Sequence, residues 1–489
     1  MENKNIWNKY SAEQEAALME LNEDYKKYLD NGKTERECIT ETVAMAEAKG
    51  YRNLDDIIAA GETLKAGDKV YAVNMKKTIA LFHIGEKPMV DGMNILGAHV
   101  DSPRIDVKQN PLYEDADFAY LDTHYYGGIK KYQWVASPLA IHGVVAKKDG
   151  SVVDVVIGED ETDPVFCITD LLIHLAADQM SKKASVVIEG EGLDLMVGSR
   201  PLKSEDDADK KDEKSDAEKS EEEKAAEAKK KEAAKSPVKA RILEILKEKY
   251  DMEEEDFLSA ELEIVPAGKA RDCGLDRSMI LAYGQDDRIC AYTSLVAILE
   301  MENVERTSCC LLVDKEEIGS VGATGMTSRF FENTVAELLN CLGQYSELTL
   351  RRCLSRSRML SSDVSAGYDP LYGYAFERKN AAYLGRGMSF NKFTGRGGKG
   401  GSNDANAEYI ARLRRVFETA DISFQTAELG KVDVGGGGTI AYILAEYGME
   451  VIDSGLPVLN MHAQYELSSK ADIYEAVRGY KAFLLDGDN

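Results

Sequence analysis

Apolar runs in this chain repeatedly end in an acid or a histidine, and this pattern constrains the fold more than any other feature. The clearest example is the run Leu311-Leu312-Val313, which is followed directly by Asp-Lys-Glu-Glu at 314–317. The residues that follow such runs are His99 and Asp101, Asp286 and Asp287, Glu316 and Glu317, Asp363, and His462. Ligands at strand ends are expected of α/β enzymes, whose sites lie beyond the carboxyl edge of the sheet. The sequence therefore predicts an α/β fold with a polar site along one sheet edge.

From about residue 268 onward, strand-like apolar runs alternate with helical patterns. The predicted strands are Met279–Tyr283, Cys309–Val313, Met359–Asp363 and Pro457–Met461. The predicted helices are Arg288–Met301, Ser328–Leu342, Ala405–Thr419, Ile440–Tyr447 and Ile473–Leu485. Such alternation indicates a mainly parallel sheet flanked by helices.

The rest of the chain divides into two parts with different patterns. Residues 13–50 have a helical period, whereas residues 106–267 show the alternation of antiparallel strands. The predicted elements in the second part are strands at 141–146, 151–157 and 184–189 and a helix at 169–180. At 489 residues the chain is too long for one compact core. We predict a domain formed by 1–105 and 268–489, into which a β-rich domain of residues 106–267 is inserted.

Residues 203–235 consist almost wholly of Lys, Glu, Asp, Ala and Ser and have no apolar face. Such a segment buries too little surface to offset its loss of conformational entropy. We therefore expect a solvated helix or a disordered loop without a catalytic role. A helix at Val238–Tyr250 is predicted to resume the ordered structure.

Composition excludes several classes of protein. The net charge of −26 argues against nucleic acid or an anionic membrane as the main partner, because the long-range field would repel both. No run approaches the roughly 18 apolar residues of a membrane helix, and the N-terminal sequence lacks the apolar core of a signal peptide. The eight cysteines include no Cys-x-x-Cys pair, which fits reduced thiols. We therefore expect a cytoplasmic protein.

Two imidazoles and three carboxylates stand at the ends of the apolar runs, a donor set that suits two zinc-like ions. The set comprises His99, Asp287, Glu317, Asp363 and His462. Each ion would take one histidine and one acid, and the third carboxylate would bridge them. Two ions about 3.5–4 Å apart would hold a water molecule between them and lower its pKa.

Two further acids could assist this chemistry. Glu316 lies next to a candidate ligand and could stay off the metals, where it would take the proton of that water and pass it to a leaving amine. Asp101 follows His99 by two residues, so on an extended strand both side chains face the same way and Asp101 could orient the imidazole. Simpler explanations stay open, since Glu316 and Glu317 could form an exposed charged turn and either histidine could be structural.

Five short motifs, in this order, resemble those of the M18 metalloaminopeptidases, and the likeness spans nearly the whole chain outside 203–235. They are GAHVDSPR at 97–104, QDDR at 285–288, DKEEIGS at 314–320, SSD at 361–363 and NMH at 460–462. The resemblance implies a zinc-peptidase-type three-layer α/β domain with a mainly parallel sheet and an inserted β-rich dimerisation domain. It also implies aminopeptidase activity on peptides and two divalent metal ions per subunit, Zn²⁺ in the first place, with Co²⁺ or Mn²⁺ as alternatives.

The resemblance assigns roles to individual residues as well. Asp287 would bridge the metals, Glu316 would be the general base and Asp101 the orienting acid. Family members assemble as tetrahedral dodecamers of dimers, in which a histidine of the partner's inserted domain reaches the active site and stabilises the oxyanion. His174, in Leu-Leu-Ile-His-Leu at 171–175, matches that histidine. Judged by its neighbours alone, His174 would be a helix residue on an apolar face.

Two positions distinguish this chain from acid-selective family members. Those members carry a histidine three residues after the third carboxylate ligand and a lysine just before a Val-Asn pair, and the matching positions here are Ala366 and Ser389. A buried substrate carboxylate needs a cationic partner. We therefore expect neutral or apolar N-terminal residues to be accepted, although Lys392, Arg396 or Lys399 could supply a charge.

The glycine-rich stretches 395–401 and 435–438 follow neither the P-loop nor the dinucleotide-binding spacing, so a wall of the peptide pocket is the better interpretation. The predicted function is the removal of single residues from peptide N-termini by a dimetal aminopeptidase. The alternatives are a strictly acidic aspartyl aminopeptidase, a related dimetal deacylase or carboxypeptidase, and a non-catalytic self-assembling scaffold. A scaffold would not require the intact set of ligands and base.

Overall fold

The computed structural model describes residues 4–203 and 235–487. By their internal contacts the residues form two compact units, one of Met1–Pro103 with Lys269–Asn489 and one of Arg104–Gly268. Only the two end residues of the charged segment 203–235 are among the described residues. The expectation for that segment therefore stays a prediction.

None of the helices among the described residues is long and apolar enough to cross a bilayer. In chain order they are α1 (Ala12–Asn31), α2 (Glu35–Ala48), α3 (Leu54–Ala60), α4 (Ala177–Met180), α5 (Pro237–Tyr250), α6 (Gln285–Leu299), α7 (Phe330–Cys341), α8 (Glu347–Arg356), α9 (Ala407–Thr419), α10 (Ala441–Ala445) and α11 (Lys470–Leu484).

The strands are, in chain order, β1 (Arg52–Asn53), β2 (Lys69–Asn74), β3 (Thr78–His83), β4 (Asn94–His99), β5 (Arg104–Asp115), β6 (Phe118–Tyr126), β7 (Leu139–Ala146), β8 (Val152–Ile157), β9 (Leu195–Gly198), β10 (Ala260–Pro266), β11 (Arg271–Cys273), β12 (Met279–Ala282), β13 (Ser308–Val313), β14 (Arg358–Ser362), β15 (Ser365–Ala366), β16 (Met388–Asn391), β17 (Phe424–Thr426), β18 (Glu450–Gly455), β19 (Pro457–Val458) and β20 (Glu466–Ser469).

The larger unit is built on a nine-stranded sheet with the order β1-β2-β3-β13-β4-β14-β18-β16-β17. Strands β13, β4, β14 and β18 are parallel to one another, whereas β3 and β16 join this group in antiparallel orientation. The sheet is therefore mixed, and the predicted parallel arrangement is found at its centre. Val313 pairs with His99, and Ser362 pairs with Ser454, so the central strands end along one edge. Residues just beyond these strand ends consequently meet there.

Helices cover both faces of this sheet and make three layers. On β4, Leu96 and Ala98 belong to the core cluster that includes residues of α1, α2, α6, α9 and α11. Ile95 belongs to the opposite cluster, which includes residues of α7, α8 and α10. This alternation is the two-residue period of a strand whose two faces are both buried. The chain thus has the α/β fold that its sequence predicts.

Local sequence signals explain where the first two helices begin. Ser11 caps α1 and Thr34 caps α2, each in a capping box completed by Gln14 or Glu37. A capping box pairs the first free N–H groups of a helix with side chains, so it fixes the start of the helix locally. The helical prediction for residues 13–50 is confirmed, as two helices joined by a short turn.

The smaller unit contains a six-stranded antiparallel sheet with the order β8-β7-β10-β5-β6-β9. Strands β7 and β8 confirm the predictions at 141–146 and 151–157. The predicted strand at 184–189 is wrong, because these residues form turns and bends. The predicted helix at 169–180 is reduced to a 3₁₀ turn at Ile173–Leu175 and the short α4. Both errors concern mostly exposed residues, where an apolar pattern does not mark a core.

Candidate metal centre

His99 is the last residue of β4, at the edge where the central parallel strands end, and it is buried. Three carboxylates surround its Nε2 atom. The distances are 3.3 Å to Asp286 Oδ1, 3.9 Å to Glu316 Oε2 and 4.0 Å to Asp363 Oδ1. Glu316 and Asp363 follow the parallel strands β13 and β14 of the central sheet, whereas Asp286 follows β12 of a separate antiparallel sheet.

His462 lies on the other side of the same aspartate. Its Nε2 is 3.3 Å from Asp286 Oδ2 and 3.5 Å from Glu317 Oε1. Asp286 therefore directs one carboxylate oxygen toward each imidazole. A carboxylate in this position is suited to bridge two cations.

Among the residues that the structure describes, three overlapping sets of side chains could each hold a cation, with ligand atoms within 4.8 Å of one another. They are His99 with Asp286 and Asp363, Asp286 with Glu317 and His462, and His99 with Glu316 and Glu317. The first two sets share Asp286 and otherwise use different residues. This is the arrangement expected of two ions joined by one carboxylate.

Unpaired polar atoms and crowded negative charge test whether metal ions fit here. His99 Nε2 and Glu317 Oε1 are buried and have no hydrogen-bond partner among the described residues, although buried polar atoms normally have one. Burial raises the pKa of Glu317 well above its usual range, and the charge of Asp286 adds to the rise. Burial also raises the pKa of Asp363, with a contribution from Glu316. Divalent cations would compensate this charge, and the imidazole and carboxylate donors suit zinc.

Asp101 connects the two parts of the cluster and is fully buried. Its Oδ1 lies 3.2 Å from His99 Nδ1 and also accepts the backbone N–H of Glu316 at 3.1 Å. Its Oδ2 accepts the backbone N–H of Glu317 at 3.2 Å. Asp101 therefore holds both the imidazole ring and the turn that carries the two glutamates.

Glu316 begins the 3₁₀ turn Glu316–Ile318, directly after Lys315, whose φ of +71° is in the left-handed region. This tight turn follows β13 directly and places the Glu316 carboxylate beside His99, with Oε2 3.9 Å from His99 Nε2. Burial raises the pKa of Glu316 to about 7; the charge of His99 opposes the rise and that of Asp286 adds to it. A carboxyl group with a pKa near the operating pH is suited to general base catalysis.

The family model for Peptidase_M18, described as an aminopeptidase I zinc metalloprotease, matches residues 28–484. The chain belongs to the M18 family. It is 59% identical over 483 residues to a probable M18 family aminopeptidase 1 of Clostridium acetobutylicum, with 99% of this chain and 98% of that protein covered. M18 proteins of this kind are metallo-aminopeptidases, so the chain is a hydrolase and not a scaffold alone.

Solved M18 structures share the fold over the full length. The chain is similar to aminopeptidase I of Clostridium acetobutylicum, with a TM-score of 0.87 at 58% identity and 100% of each chain covered. It is also similar to the M18 aminopeptidase of Thermotoga maritima, with a TM-score of 0.89 at 41% identity and 99% of each chain covered. The catalytic fold is thus that of the M18 enzymes.

In this M18 chain the aspartate that faces both histidines is Asp286, and the prediction of Asp287 as a ligand is corrected accordingly. Asp287 is in none of the cation-binding sets. Its Oδ2 accepts the backbone N–H of His99 at 3.3 Å, and a further hydrogen bond joins it to Cys290. The φ and ψ angles are −79° and 108° at Asp286 and −113° and 26° at Asp287, outside the helical region. The two side chains therefore point to different sides, which two adjacent acids in a sequence do not reveal.

The other predicted ligands of this M18 chain come together as expected from their strand ends. They are His99, Glu317, Asp363 and His462, with Glu316 and Asp101 beside them. His99, Glu317 and Asp363 lie at the ends of the parallel strands β4, β13 and β14, which explains why they meet, whereas His462 joins them from the turn after β19.

Glu466 is a supporting residue that sequence reasoning missed. It is buried, and its Oε2 accepts the backbone N–H of Asp286 at 2.9 Å while its Oε1 accepts that of His462 at 2.8 Å. It therefore fixes the main chain at two candidate ligands. An acid four residues after a histidine carries no periodic signal, so only the folded chain reveals this role.

His174 lies in the smaller unit, within the exposed turn Ile173–Leu175. It is in none of the cation-binding sets found among the described residues. Its neighbours Leu172, Ile173 and Leu175 are 54%, 68% and 68% exposed. The expected helix face is therefore an exposed apolar turn, and the role of His174 in a neighbouring subunit stays a prediction.

The two positions that bear on substrate selection carry no charge. Ala366 lies in β15, and Ser389 is buried in β16 with its hydroxyl 3.4 Å from Asn391 Oδ1. Of the nearby cations, Lys392 and Lys399 both contact Asp404, at 2.8 and 3.1 Å.

Proposed function

We propose that this M18 enzyme is a two-metal aminopeptidase that removes single neutral or apolar residues from the N-termini of short peptides. The observation that carries the two-metal proposal is the position of Asp286, whose two oxygens each lie 3.3 Å from a different imidazole. A single-metal site would not need an acid between two histidines that contact different further carboxylates. Asp286 is therefore assigned as the bridge, with His99 and Asp363 on one side and Glu317 and His462 on the other.

The residues around the bridge divide the chemistry between them. Two divalent ions held there, zinc in the first place, would polarise the scissile carbonyl and lower the pKa of the attacking water. Glu316 accepts a proton from that water and donates it to the leaving amine. Asp101 holds the Glu316 turn and the His99 ring in fixed positions relative to each other. His174 of a second copy donates a hydrogen bond to the oxyanion.

The proposed preference for neutral N-terminal residues rests on two positions. Acid-selective members carry a cationic or imidazole side chain there, and this chain carries Ala366 and Ser389. Ala366 and Ser389 cannot pair with a substrate carboxylate ion, and an unpaired buried charge costs several kcal/mol. Lys392 and Lys399 form ion pairs with Asp404. Arg396, which is exposed, is therefore the cation of that loop to test for contact with a substrate carboxylate.

Self-association is supported by an apolar surface on the smaller unit. Within the segment 165–186, the residues that are 46–68% exposed and apolar are Val165, Leu171, Leu172, Ile173, Leu175, Met180 and Val186. Apolar surface of this kind marks an interaction site. A solved mApe1 structure from yeast, 17% identical with a TM-score of 0.72, is a dodecamer. We assign the apolar segment to contact with a second copy, within a dodecamer built from dimers, and the smaller unit to dimerisation.

Metal analysis tests the two-metal proposal directly. After saturation with zinc and desalting, the wild-type protein should retain about two zinc ions per subunit, and Asp286→Asn should retain fewer. Asp287→Asn is the matched control at the adjacent position and should keep both ions. Equal zinc content in wild type and Asp286→Asn, or loss only in Asp287→Asn, would show that the bridge is wrongly assigned.

The same proteins separate the reaction classes. A peptide with a free N-terminal amine should be cleaved, and its N-acetylated counterpart should not. Release of the acetyl group or of the C-terminal residue would instead favour the deacylase or carboxypeptidase alternative.

A further inference from the structure

Asp453 is a buried acid in the central sheet that the proposed reaction does not use. It lies in β18 and is 2% exposed. Its Oδ1 accepts a hydrogen bond from the Thr439 hydroxyl at 2.5 Å, whereas its Oδ2 has no partner among the described residues. In the sheet it is in register with Ser361, two residues before the candidate ligand Asp363. Thr439 is therefore attached, through its side chain, to a strand that leads to the metal centre.

The residues just before Thr439 are the glycine-rich segment 435–438, and they are packed against backbone. A Cβ atom on Gly436, whose φ is +115°, would lie 2.7 Å from Gly395 O and 2.8 Å from Arg396 Cα. The N–H of Gly437 donates to Thr394 O at 3.2 Å. These contacts join the segment to the other glycine-rich stretch, residues 395–401. Residues 396–400 of that stretch are exposed. The chain after the segment is held on the sheet by the buried Ile440, and the Thr439 hydroxyl adds a polar attachment to β18.

Two observations place this attachment beside the reaction centre. Asp363 N–H donates to Ser454 O, the residue after Asp453, at 3.2 Å. A Cβ atom on Gly455, two residues after Asp453, would lie 1.9 Å from Asp363 O, so β18 is packed against the main chain of Asp363. The glycine-rich segment is thus attached to the strand that lies against Asp363.

We propose that the Thr439–Asp453 hydrogen bond is a positioning device that holds the glycine-rich segment 435–438 as a wall of the peptide pocket and so sets the affinity for substrate. This inference rests on the proposed aminopeptidase function. Glycines lack side chains that could hold a wall in place, and a segment without such anchors loses conformational freedom when substrate binds. The Thr439–Asp453 hydrogen bond restricts the segment before substrate binds, so less conformational entropy is lost on binding. Neither residue is a candidate metal ligand or the proposed base, so loss of this hydrogen bond should raise KM and leave kcat nearly unchanged.

Three variants test the device. Thr439→Val removes the hydroxyl while keeping the shape, and Thr439→Ser keeps the hydroxyl. Thr334→Val is the matched control, since Thr334 is a buried threonine of α7 whose hydroxyl donates to Phe330 O of its own helix. With a leucyl peptide substrate, Thr439→Val should raise KM about tenfold with kcat within twofold, and Thr439→Ser and Thr334→Val should match wild type. Zinc content should be equal in all four proteins.

Hydrogen exchange gives a second readout that needs no substrate. The amides of residues 435–439 should exchange faster in Thr439→Val than in wild type, while amides elsewhere stay unchanged. Unchanged KM and unchanged exchange would overturn the proposal, as would a loss of kcat without a change in KM. If the wild-type protein cleaves no free-amine peptide, the proposed function fails, and the exchange of 435–439 alone then decides whether the anchor exists.

Discussion

The Asp101 carboxylate accepts the backbone N–H of Glu316 at 3.1 Å, so the residue that orients His99 also fixes the turn that carries the proposed base. Asp101→Ala removes both functions at once. Residues that support metal ligands typically contribute 10–100-fold to metal affinity or activity. We expect kcat/KM to fall by about 10–100-fold, and Asp101→Asn, which keeps an acceptor oxygen, to lose less. Steady-state kinetics with zinc analysis checks this, and full activity of Asp101→Ala would contradict it.

Glu316→Gln tests the base itself. The amide keeps the shape of the side chain but cannot accept the proton, so turnover should fall by about 10²–10⁴-fold while both zinc ions remain bound. Zinc analysis and single-turnover assays on the same preparation measure the two effects separately. Survival of wild-type activity would show that another group is the base, and loss of zinc would show that Glu316 is a ligand.

His174→Phe tests the shared active site. The variant should assemble as wild type does, but its turnover should fall by about 10²–10³-fold because an oxyanion donor is lost. Particles assembled from a mixture of His174→Phe and Glu316→Gln chains should regain activity, since an intact base in one subunit would meet an intact His174 from another. Absence of any recovery in mixed particles of verified composition would argue against the sharing of His174 between subunits.

Substrate selection can be measured with a panel of short peptides and aminoacyl anilides. Because Ala366 and Ser389 cannot pair with a carboxylate ion, N-terminal Leu or Met should be cleaved at least as well as Asp or Glu, judged by kcat/KM. A preference of tenfold or more for Asp or Glu, about 1.4 kcal/mol in the transition state, would contradict this expectation. Should that occur, Arg396→Ala would show whether the loop supplies the cation, with Arg414→Ala, an exposed arginine of α9, as control.

His83 gives a prediction about stability and pH. It is buried in β3 at 1% exposure, and burial, aided by the charge of Lys69, lowers its pKa from about 6.5 to about 4. Between these values the unfolded chain binds a proton that the folded chain does not, so stability is lost as pH falls from about 6.5 to about 4. The loss amounts to at most about 1.4 kcal/mol per pH unit.

Urea unfolding at pH 7.5 and 5.5 measures this effect. His83→Leu should show a smaller loss of stability between the two pH values than wild type. His124→Gln, at an exposed position in the smaller unit, is the control and should keep the wild-type dependence. Identical pH dependence in His83→Leu and wild type would show that His83 does not contribute.

Much of the site could be predicted from the sequence because its signals are local. An acid or histidine at the end of an apolar run marks a strand end, and parallel strands bring their carboxyl ends to one edge. This reasoning predicted that His99, Glu317, Asp363 and His462 lie together, without any knowledge of distances. The α/β fold was predictable for the same reason, since the alternation of strand and helix patterns is written along the chain.

Other features depend on contacts between distant residues, and these only the tertiary structure decided. Asp286 and Asp287 are equivalent as neighbours in sequence, and the backbone path between β12 and α6 determines which of them faces the histidines. The strand β18 has several polar residues and no apolar run that would predict it. It nevertheless carries Asp453, which accepts the hydrogen bond from the Thr439 hydroxyl. Sequence patterns report which residues a segment tends to bury, whereas the direction of each side chain is set by partners far away in the chain, as Glu466 is from Asp286.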